Sequence, residues 1–414
     1  MQEAWISIQT SVYGNANNDY TVDAEDREII QSIIDGEASL SDYPMADANC
    51  DGRVNSSDME IVDHLIAGEP CEVTIIDQLD RRVTLDYPLD NILAVRSDVA
   101  TFLACGGFHD YIYGYAGTDY ANIYEGIKAA GGIYLGNKSN IDAELWQTIV
   151  QADSELSLRG EKLGAIICDR VASFGDYEDD MEAAGLPGIG IRATDPELTL
   201  SGTLLIGFLI GGDANENAKS YVEACEEAMD YLNGRLATLS DEDKVPFISV
   251  IGVRRVSGID SQYTQLGIAA GGMPATKVEG DTSYTLQTVE AITEYDDLIE
   301  QILSFRSMGF ENTDLSDTCW GATSTIVYME QSKWFEGMVF INSTIPVTCR
   351  VLYAASVMYP ELIEESYADS VFQELVDDYL PFLHDTQEDG HFDVTTDMTT
   401  TCDYQDYLDY LASV

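Results

Sequence analysis

The chain has 414 residues, 45% of them hydrophobic, which is enough for two or three domains with sizeable cores. Its 74 acidic residues outweigh 20 basic ones, giving a formal charge of −54; such a surface repels nucleic acid and anionic lipid and suits an exterior rich in salt or Ca²⁺. No run reaches ~18 apolar residues, so no membrane-spanning helix is expected.

At the amino end, "NANNDYTVDAED" (15–26) and "DANCDGRVNSSD" (47–58) repeat one pattern. A Ca²⁺ loop needs oxygen ligands at positions 1, 3, 5, 7 (a backbone carbonyl), 9 and 12, and a Gly at 6 for the sharp turn. The second stretch offers Asp47, Asn49, Asp51, the carbonyl of Arg53, Asn55 and Asp58, with Gly52 in the turn. The first offers Asn15, Asn17, Asp19, the carbonyl of Thr21, Asp23 and Asp26, with Tyr20 replacing the Gly. Short oxygen-bearing side chains in this order suit a hard cation rather than zinc. Each loop runs into an amphipathic helix, carrying Ile29, Ile30, Ile33 and Ile34 after the first and Met59, Val62, Leu65 and Ile66 after the second, with stops at Gly36 and Gly68.

Over about residues 13–70 this loop–helix pair resembles a type I dockerin module. The resemblance implies two Ca²⁺ sites and a cohesin module as partner. Loop positions 10 and 11, which help choose that partner in dockerins, are Ala24–Glu25 in one copy and Ser56–Ser57 in the other, so a symmetric dual binding mode is not implied.

Eight Cys occur without a C-x-x-C pair, which argues against zinc. Cys50 with Cys71 and Cys349 with Cys402 are candidate bridges, the connectivity being open, whereas Cys168 and Cys225 sit in apolar patterns and read as buried thiols. Sequons at Asn55, Asn137 and Asn342 permit glycosylation. No signal peptide precedes "MQEAWISIQ", yet the rest reads as exported; Met1 is expected to stand where a signal has been removed, and the location to be extracellular or at the cell surface.

The body begins with "EVTIIDQLDRRVTLDY" (72–87), two β-type runs around a polar turn. "NILAV" (91–95) reads as a buried strand leading into a helix, and "AIICDRVASFGDYEDDMEAAGLPGIGIRATD" as strand, helix, strand. A long helix is expected over 213–239, with Ala218, Tyr221, Val222, Cys225, Met229, Leu232 and Leu236 as its apolar stripe. A second α/β section opens with "VPFISVIGV" (245–253) and holds "MVFIN" (338–342) and the helical "VTCRVLYAASVMYPELIEESY". The expected fold is therefore α/β: two α/β lobes joined by one long helix, plus a small all-α calcium-binding module, with boundaries at 1–71, 72–212, 213–240 and 241–414, the last including an acidic tail.

From about 72 to 383 this order resembles the class III substrate-binding proteins of ABC importers, those for ferric siderophores, haem and cobalamin. The hairpin is similar to that family's Val-Thr-Asp-Gly-Arg-Val start, with Leu79–Asp80 in its turn; "MEAAGLPGIGIR", "LLIGFLIGGDANENAKSYVEACEEAMDYLNGRL", "GIAAGGMPA" and "VLYAASVMYPELI" resemble its later landmarks in order. The resemblance implies a ligand between the lobes, presented to an ABC permease.

Open α/β sheets bind ligands beyond the carboxyl ends of their strands. Arg96 follows "NILAV", Arg170 follows "GAIICD", Arg192 follows "GIGI", and Arg254 and Arg255 follow "FISVIGV": five of thirteen Arg. The guanidinium fork fits carboxylate, phosphate or catecholate oxygens, so a locally cationic site for an anionic metal chelate is expected, unless Asp98 and Asp169 neutralise it. Tyr115, in the alternating "HDYIYGYAGTDY", and Trp320 are candidate ligand-facing aromatics.

Catalysis is not expected. The four His (His64, His109, His384, His391) stand in no metal-ligand or nucleophile motif, and no G-x-S-x-G, P-loop or dinucleotide fingerprint occurs. The tail stretch 385–397 has calcium-loop order but Thr396 at position 12, and reads as an acidic turn. Two function classes follow: an extracytoplasmic solute-binding protein tethered through its dockerin, or a structural or adhesive surface protein that keeps the fold without capturing a ligand.

Overall fold

The computed structural model describes residues 11–19, 21–120, 123–251, 255–285, 294–295, 298–305, 338–385, 392, 394 and 398–401. The chain divides into two compact units: Met1–Asp119, Tyr124–Ala193 and Glu197–Glu223 form the first; Tyr120–Ile123, Thr194–Pro196 and Ala224–Val414 form the second.

The loop–helix pair belongs to the first unit. Its helices α1 (Ala24–Ile34) and α2 (Ser56–Ala67) each open on a reciprocal capping box, Asp23 with Asp26 and Asn55 with Asp58. Gly68 closes α2 in the left-handed conformation that glycine adopts without a Cβ clash. Ala16, Ile30, Ala46, Ala48, Met59 and Val62 form a separate small core.

Strands β1 (Cys71–Ile76) and β2 (Arg82–Tyr87) make the expected antiparallel ribbon, with Cys71 opposite Tyr87 and Ile76 opposite Arg82. The chain before the first loop adds to its other edge: Tyr13 N donates to Thr74 O at 2.9 Å, and Ile76 N to Ser11 O at 2.8 Å. Cys50 and Cys71 are thiols rather than a bridge. The Cys50 thiol bonds the Thr74 hydroxyl, and side chains alternate along β1, so Cys71 projects from the opposite face.

The first α/β sheet follows: β3 (Ile92–Val95), α3 (Ser97–Cys105), β4 (Ile112–Ala116), α4 (Glu125–Ala129), β5 (Ile133–Tyr134), α5 (Ala143–Ser157), β6 (Ala165–Cys168), α6 (Val171–Phe174), α7 (Glu178–Ala183) and β7 (Gly188–Gly190). The strands are parallel, in the order β5-β4-β3-β6-β7. "ILAV" and "AIIC" are buried throughout, as parallel strands covered on both faces must be. Helix α8 (Thr199–Ile210) is apolar and buried all round, and a left-handed Gly211–Gly212 step separates it from the long α9 (Gly212–Leu236), so the expected joining helix starts at a sharp break; the division between units falls within α9.

The second unit carries β8 (Pro246–Ser249), β9 (Arg255–Ser257), α10 (Gln262–Ala269), β10 (Met273–Pro274), β11 (Ser283–Thr285), β12 (Gln301–Ser304), β13 (Met338–Ile341), α11 (Val347–Met358), α12 (Glu365–Tyr379) and β14 (Thr399–Thr401). Its sheet runs β10-β8-β12-β13-β14, parallel apart from β14, and β9 pairs with β11 and bridges at Val256 to Val250, just past β8. Asn342 is 3% exposed, which removes that sequon from glycosylation. Among the described residues no helix is long and apolar enough to cross a membrane.

The ribbon's turn is fastened to the sheet by one buried carboxylate. Asp77 Oδ1 accepts from Leu79 N and Arg81 N, both at 2.9 Å; Oδ2 accepts from Arg81 Nη2 at 2.7 Å and Gly190 N at 2.8 Å. Arg81 also reaches Gly188 O and Glu178 and lies over the Phe174 ring. Breaking a buried pair leaves the remaining charge uncompensated. Asp77→Ala is therefore expected to cost about 3–5 kcal/mol in urea unfolding. Glu178→Ala, which removes an exposed partner, is expected to cost under about 1 kcal/mol; equal losses would contradict this assignment.

Candidate functional site

The two calcium-type loops are built alike. Their fourth residues, Asn18 and Cys50, both take φ of +57°, and Gly52 takes +85°. Each position-12 carboxylate folds back over its loop. Asp26 accepts from Asn17 N at 3.1 Å and Asp23 N at 2.8 Å; Asp58 accepts from Asn49 N at 3.1 Å and Asn55 N at 2.8 Å. Asp19, Asp23, Asp51 and Asn55 accept backbone N–H groups within their own loops. Asn15, Asp26 and Asp58 are fully buried and Asp47 nearly so. Neither Asp26 nor Asp58 forms an ion pair among the described residues. Burial pushes the Asp26 carboxyl up to about 6. Buried carboxylates alternating with amide side chains along each loop are the donor types a hard divalent ion takes, although no three of the described His, Cys, Asp and Glu are gathered as a metal cluster.

The second cluster lies at the carboxyl edge of the first unit's sheet. Strand order reverses between β3 and β6, and Arg96 follows one while Arg170 follows the other. A reversal of this kind is where open α/β sheets leave a crevice for ligands. Arg192 comes two residues after β7, the next strand along. The three arginines therefore stand along one edge, in the order of their strands.

Their environments differ. Arg96 Nε lies 3.0 Å from Asp169 Oδ1, and its Nη2 is 3.3 Å from Asp98 Oδ2. Arg170 Nη2 meets the other oxygen of Asp169 at 3.3 Å, with its side chain 48% exposed. Arg192 forms no ion pair among the described residues; its backbone N donates to Gln78 Oε1 at 2.8 Å. Burial raises the Asp169 carboxyl above its ordinary range against the pull of Arg96 and Arg170. Arg96 and Arg170 are thus set against two carboxylates, Asp98 and Asp169, and Arg192 follows the neighbouring strand.

Arg96 has φ of +90°, a conformation that costs a non-glycine residue about 1–3 kcal/mol and persists only where the surroundings over-determine it. Those surroundings are visible. Thr118 N donates to Ser97 Oγ at 2.8 Å, Tyr124 OH donates to Ser97 O at 2.9 Å, and a Cβ on Gly117 would sit 2.5 Å from Ser97 N.

Other expected site residues fall elsewhere. Tyr115 is wholly buried between Tyr124 and Tyr134, its hydroxyl donating to Asp119 at 2.8 Å, so it is a core ring rather than an open binding surface. Burial and then the Asp119 bond push its phenol well above the ordinary range. Arg255 is exposed on β9, where Nε donates to Ser283 Oγ; its carbonyl accepts from Ile251 N at 3.0 Å, just past the end of β8, and its strand pairs with β11 in a second ribbon. Arg254, Trp320, Cys402 and His391 lie outside the described residues, as does most of the 385–397 stretch. Sequence reasoning missed Gln78: an amide in a polar turn gives no sign that the turn docks on β7.

Residues 13–67 match the family described as "Dockerin type I domain" and form such a domain. A comparison with curated proteins finds no match. Among solved structures, the chain is similar to the TroA-like periplasmic binding protein FepB from Veillonella parvula (TM-score 0.54, 19% identity, covering 74% of this chain and 96% of that one). It is also similar to an ABC transporter solute binding protein from Sulfurospirillum deleyianum (0.51, 13%, 82% and 99%). The molybdate periplasmic binding protein MolA from Haemophilus influenzae, bound to molybdate, gives 0.51 and 13%, covering 74% and 97%. These likenesses show the fold: a dockerin domain followed by a body of the class III periplasmic-binding-protein type.

The packing around Arg96 yields a test. Gly117→Ala adds a clash to a strained φ of +119°, whereas Gly160→Ala, at +85°, meets open space. Thermal unfolding is expected to show the first variant less stable than the second by more than about 1 kcal/mol; equal losses would mean that the Ser97–Gly117 contact does not constrain the loop.

Proposed function

We propose that this chain is an extracytoplasmic solute-binding protein. It captures an anionic metal chelate, of ferric siderophore, haem or corrinoid type, at the carboxyl edge of its first α/β sheet and presents it to an ABC permease. The observation that carries this reading is Arg96 and Arg170 flanking the strand-order reversal, with Arg192 following the next strand and forming no ion pair among the described residues. Arg96 is held by two carboxylates and keeps the edge in shape. Arg170, half exposed, and Arg192, without an acidic partner among the described residues, are the groups for the solute's oxygens. The similarity to a protein that binds molybdate supports an anionic solute. Catalysis has no place in this reading.

In the same reading the dockerin domain holds two Ca²⁺ ions. Asp47, Asn49, Asp51, Asn55, Asp58 and the Arg53 carbonyl take one; Asn15, Asn17, Asp19, Asp23, Asp26 and the Thr21 carbonyl take the other. The domain tethers the chain to a cohesin module at the cell surface. The functional parts are the module (1–71), the first lobe (72–212), the joining helix (213–240) and the second lobe (241–414).

Two measurements test these claims. In a thermal-shift screen with ferric siderophores, haem and cobalamin, one ligand class is expected to raise Tm, because binding only the native state adds stability. Arg170→Ala or Arg192→Ala should then weaken that ligand about tenfold to a hundredfold, the range for one charge-assisted hydrogen bond. No shift with any chelate would favour a structural or adhesive surface protein. For the domain, Ca²⁺ at about a hundredfold over its Kd should add about 2.7 kcal/mol, and EDTA should remove the α1–α2 helicity; an unchanged circular-dichroism melt in EDTA would refute calcium binding.

A further inference from the structure

We propose that the β1–β2 ribbon couples calcium binding in the first loop to anion capture, with Gln78 as the residue that positions Arg192. The anion half of this proposal rests on the function proposed above; the structural half stands on the ribbon's contacts.

The ribbon is fastened at both ends of a short stretch. Toward the dockerin domain, Tyr13 N donates to Thr74 O at 2.9 Å and Ile76 N to Ser11 O at 2.8 Å. Arg82 Nη2 donates to the Tyr13 hydroxyl at 2.7 Å, its guanidinium 5.1 Å from that ring's centroid. Gly14 N donates to Met45 O at 2.7 Å, two residues before Asp47 opens the second loop. Asn15, the first ligand of the first loop, follows Gly14 directly. Toward the sheet, the residues immediately after Ile76 take over. Asp77 Oδ2 accepts from Gly190 N at 2.8 Å, and Gln78 N donates to Gly190 O at 3.0 Å. The Gln78 side chain finishes the joint: Oε1 accepts from Arg192 N at 2.8 Å, while Nε2 donates to Leu198 O at 2.7 Å and Ser201 Oγ at 3.0 Å.

A cation would act here by relieving mutual repulsion. In the first loop Asp19 acts on Asp26 through its charge, the Thr21 hydroxyl lies 3.3 Å from both Asp19 and Asp23, and Asp26 is fully buried. Without a cation these acids repel and the loop loosens; its entry segment, Ser11–Tyr13, is also an edge strand of the ribbon. A cation that orders Asn15 therefore orders the bonds at Tyr13 and Ile76, and with them the turn that holds the Arg192 backbone. Such coupling is reciprocal: whatever calcium adds to anion affinity, the anion adds to calcium affinity.

Amide hydrogen exchange on the full chain, with 1 mM Ca²⁺ or EDTA, tests the structural half without any solute. Calcium is expected to slow exchange at Tyr13, Ile76, Gln78 and Arg192 by about tenfold or more, alongside the loop amides. Slowing confined to residues 15–26 and 47–58, with Gln78 and Arg192 unchanged, would overturn the proposal. In Gln78→Ala the calcium effect should vanish at Arg192 yet remain at Ile76. Gln78→Glu, which keeps the acceptor for Arg192 N but loses the donor to Leu198 O, should restore it in part. A loss of protection spread evenly over the unit would instead mark Gln78 as merely structural and would also overturn the proposal. With ferric citrate as the probe anion, calorimetry should show Ca²⁺ tightening binding about five- to a hundredfold in the wild type and less than about twofold in Gln78→Ala. Failure of ferric citrate to bind at any Ca²⁺ level would count against the anion site, while the exchange result would still decide the coupling.

Discussion

A chain with a formal charge of −54 can hold an anion only where its own carboxylates are locally outnumbered. That constraint organises the first α/β unit. Its sheet reverses strand order between β3 and β6, and the residues that emerge on either side are Arg96 and Arg170, sharing the buried Asp169. Asp169 holds both guanidinium groups in place, and Asp98 adds a second contact to Arg96 alone. Arg192, one strand further along, has no acid set against it among the described residues. In the proposed reading the labour divides: Arg96, strained and doubly paired, shapes the edge, and the other two would meet the solute.

The edge depends in turn on the ribbon that precedes it. Asp77 and Gln78 supply the hydrogen bonds that fix Gly190 and Arg192, and the same ribbon carries the chain leading into the calcium loops. The dockerin domain is therefore not an appendage on a flexible tail. It shares backbone hydrogen bonds with the element that sets the position of a candidate ligand-binding residue, so the domain and the candidate site belong to one unit.

Much of this was legible in the sequence because it is local. Alternating Asx residues with Gly52, followed by Met59, Val62 and Leu65, specify a loop and a helix within two dozen residues. Apolar runs such as "ILAV" and "AIIC" specify buried parallel strands, and the arginines after them fall at strand ends by covalent connection alone. What was not legible depends on distant packing. Tyr115 sits at a strand's carboxyl half like a ligand-facing residue, yet the neighbouring helix and strand bring Tyr124 and Tyr134 over it. Cys50 and Cys71 flank one helix, yet the alternation of β1 sends them to opposite faces. Arg255 follows an apolar run, yet the chain turns first and uses it in a second ribbon. Gln78 acquires its role only because its turn lands on β7, more than a hundred residues later.

The most direct test of the central claim is a crystal structure of the chain grown with a bound ferric chelate, with the iron located by anomalous scattering. The account predicts an iron peak beyond the carboxyl ends of β3 and β6, with chelate oxygens within hydrogen-bond distance of Arg170 and Arg192. A chelate bound elsewhere, with both guanidinium groups contacting only protein and water, would contradict it.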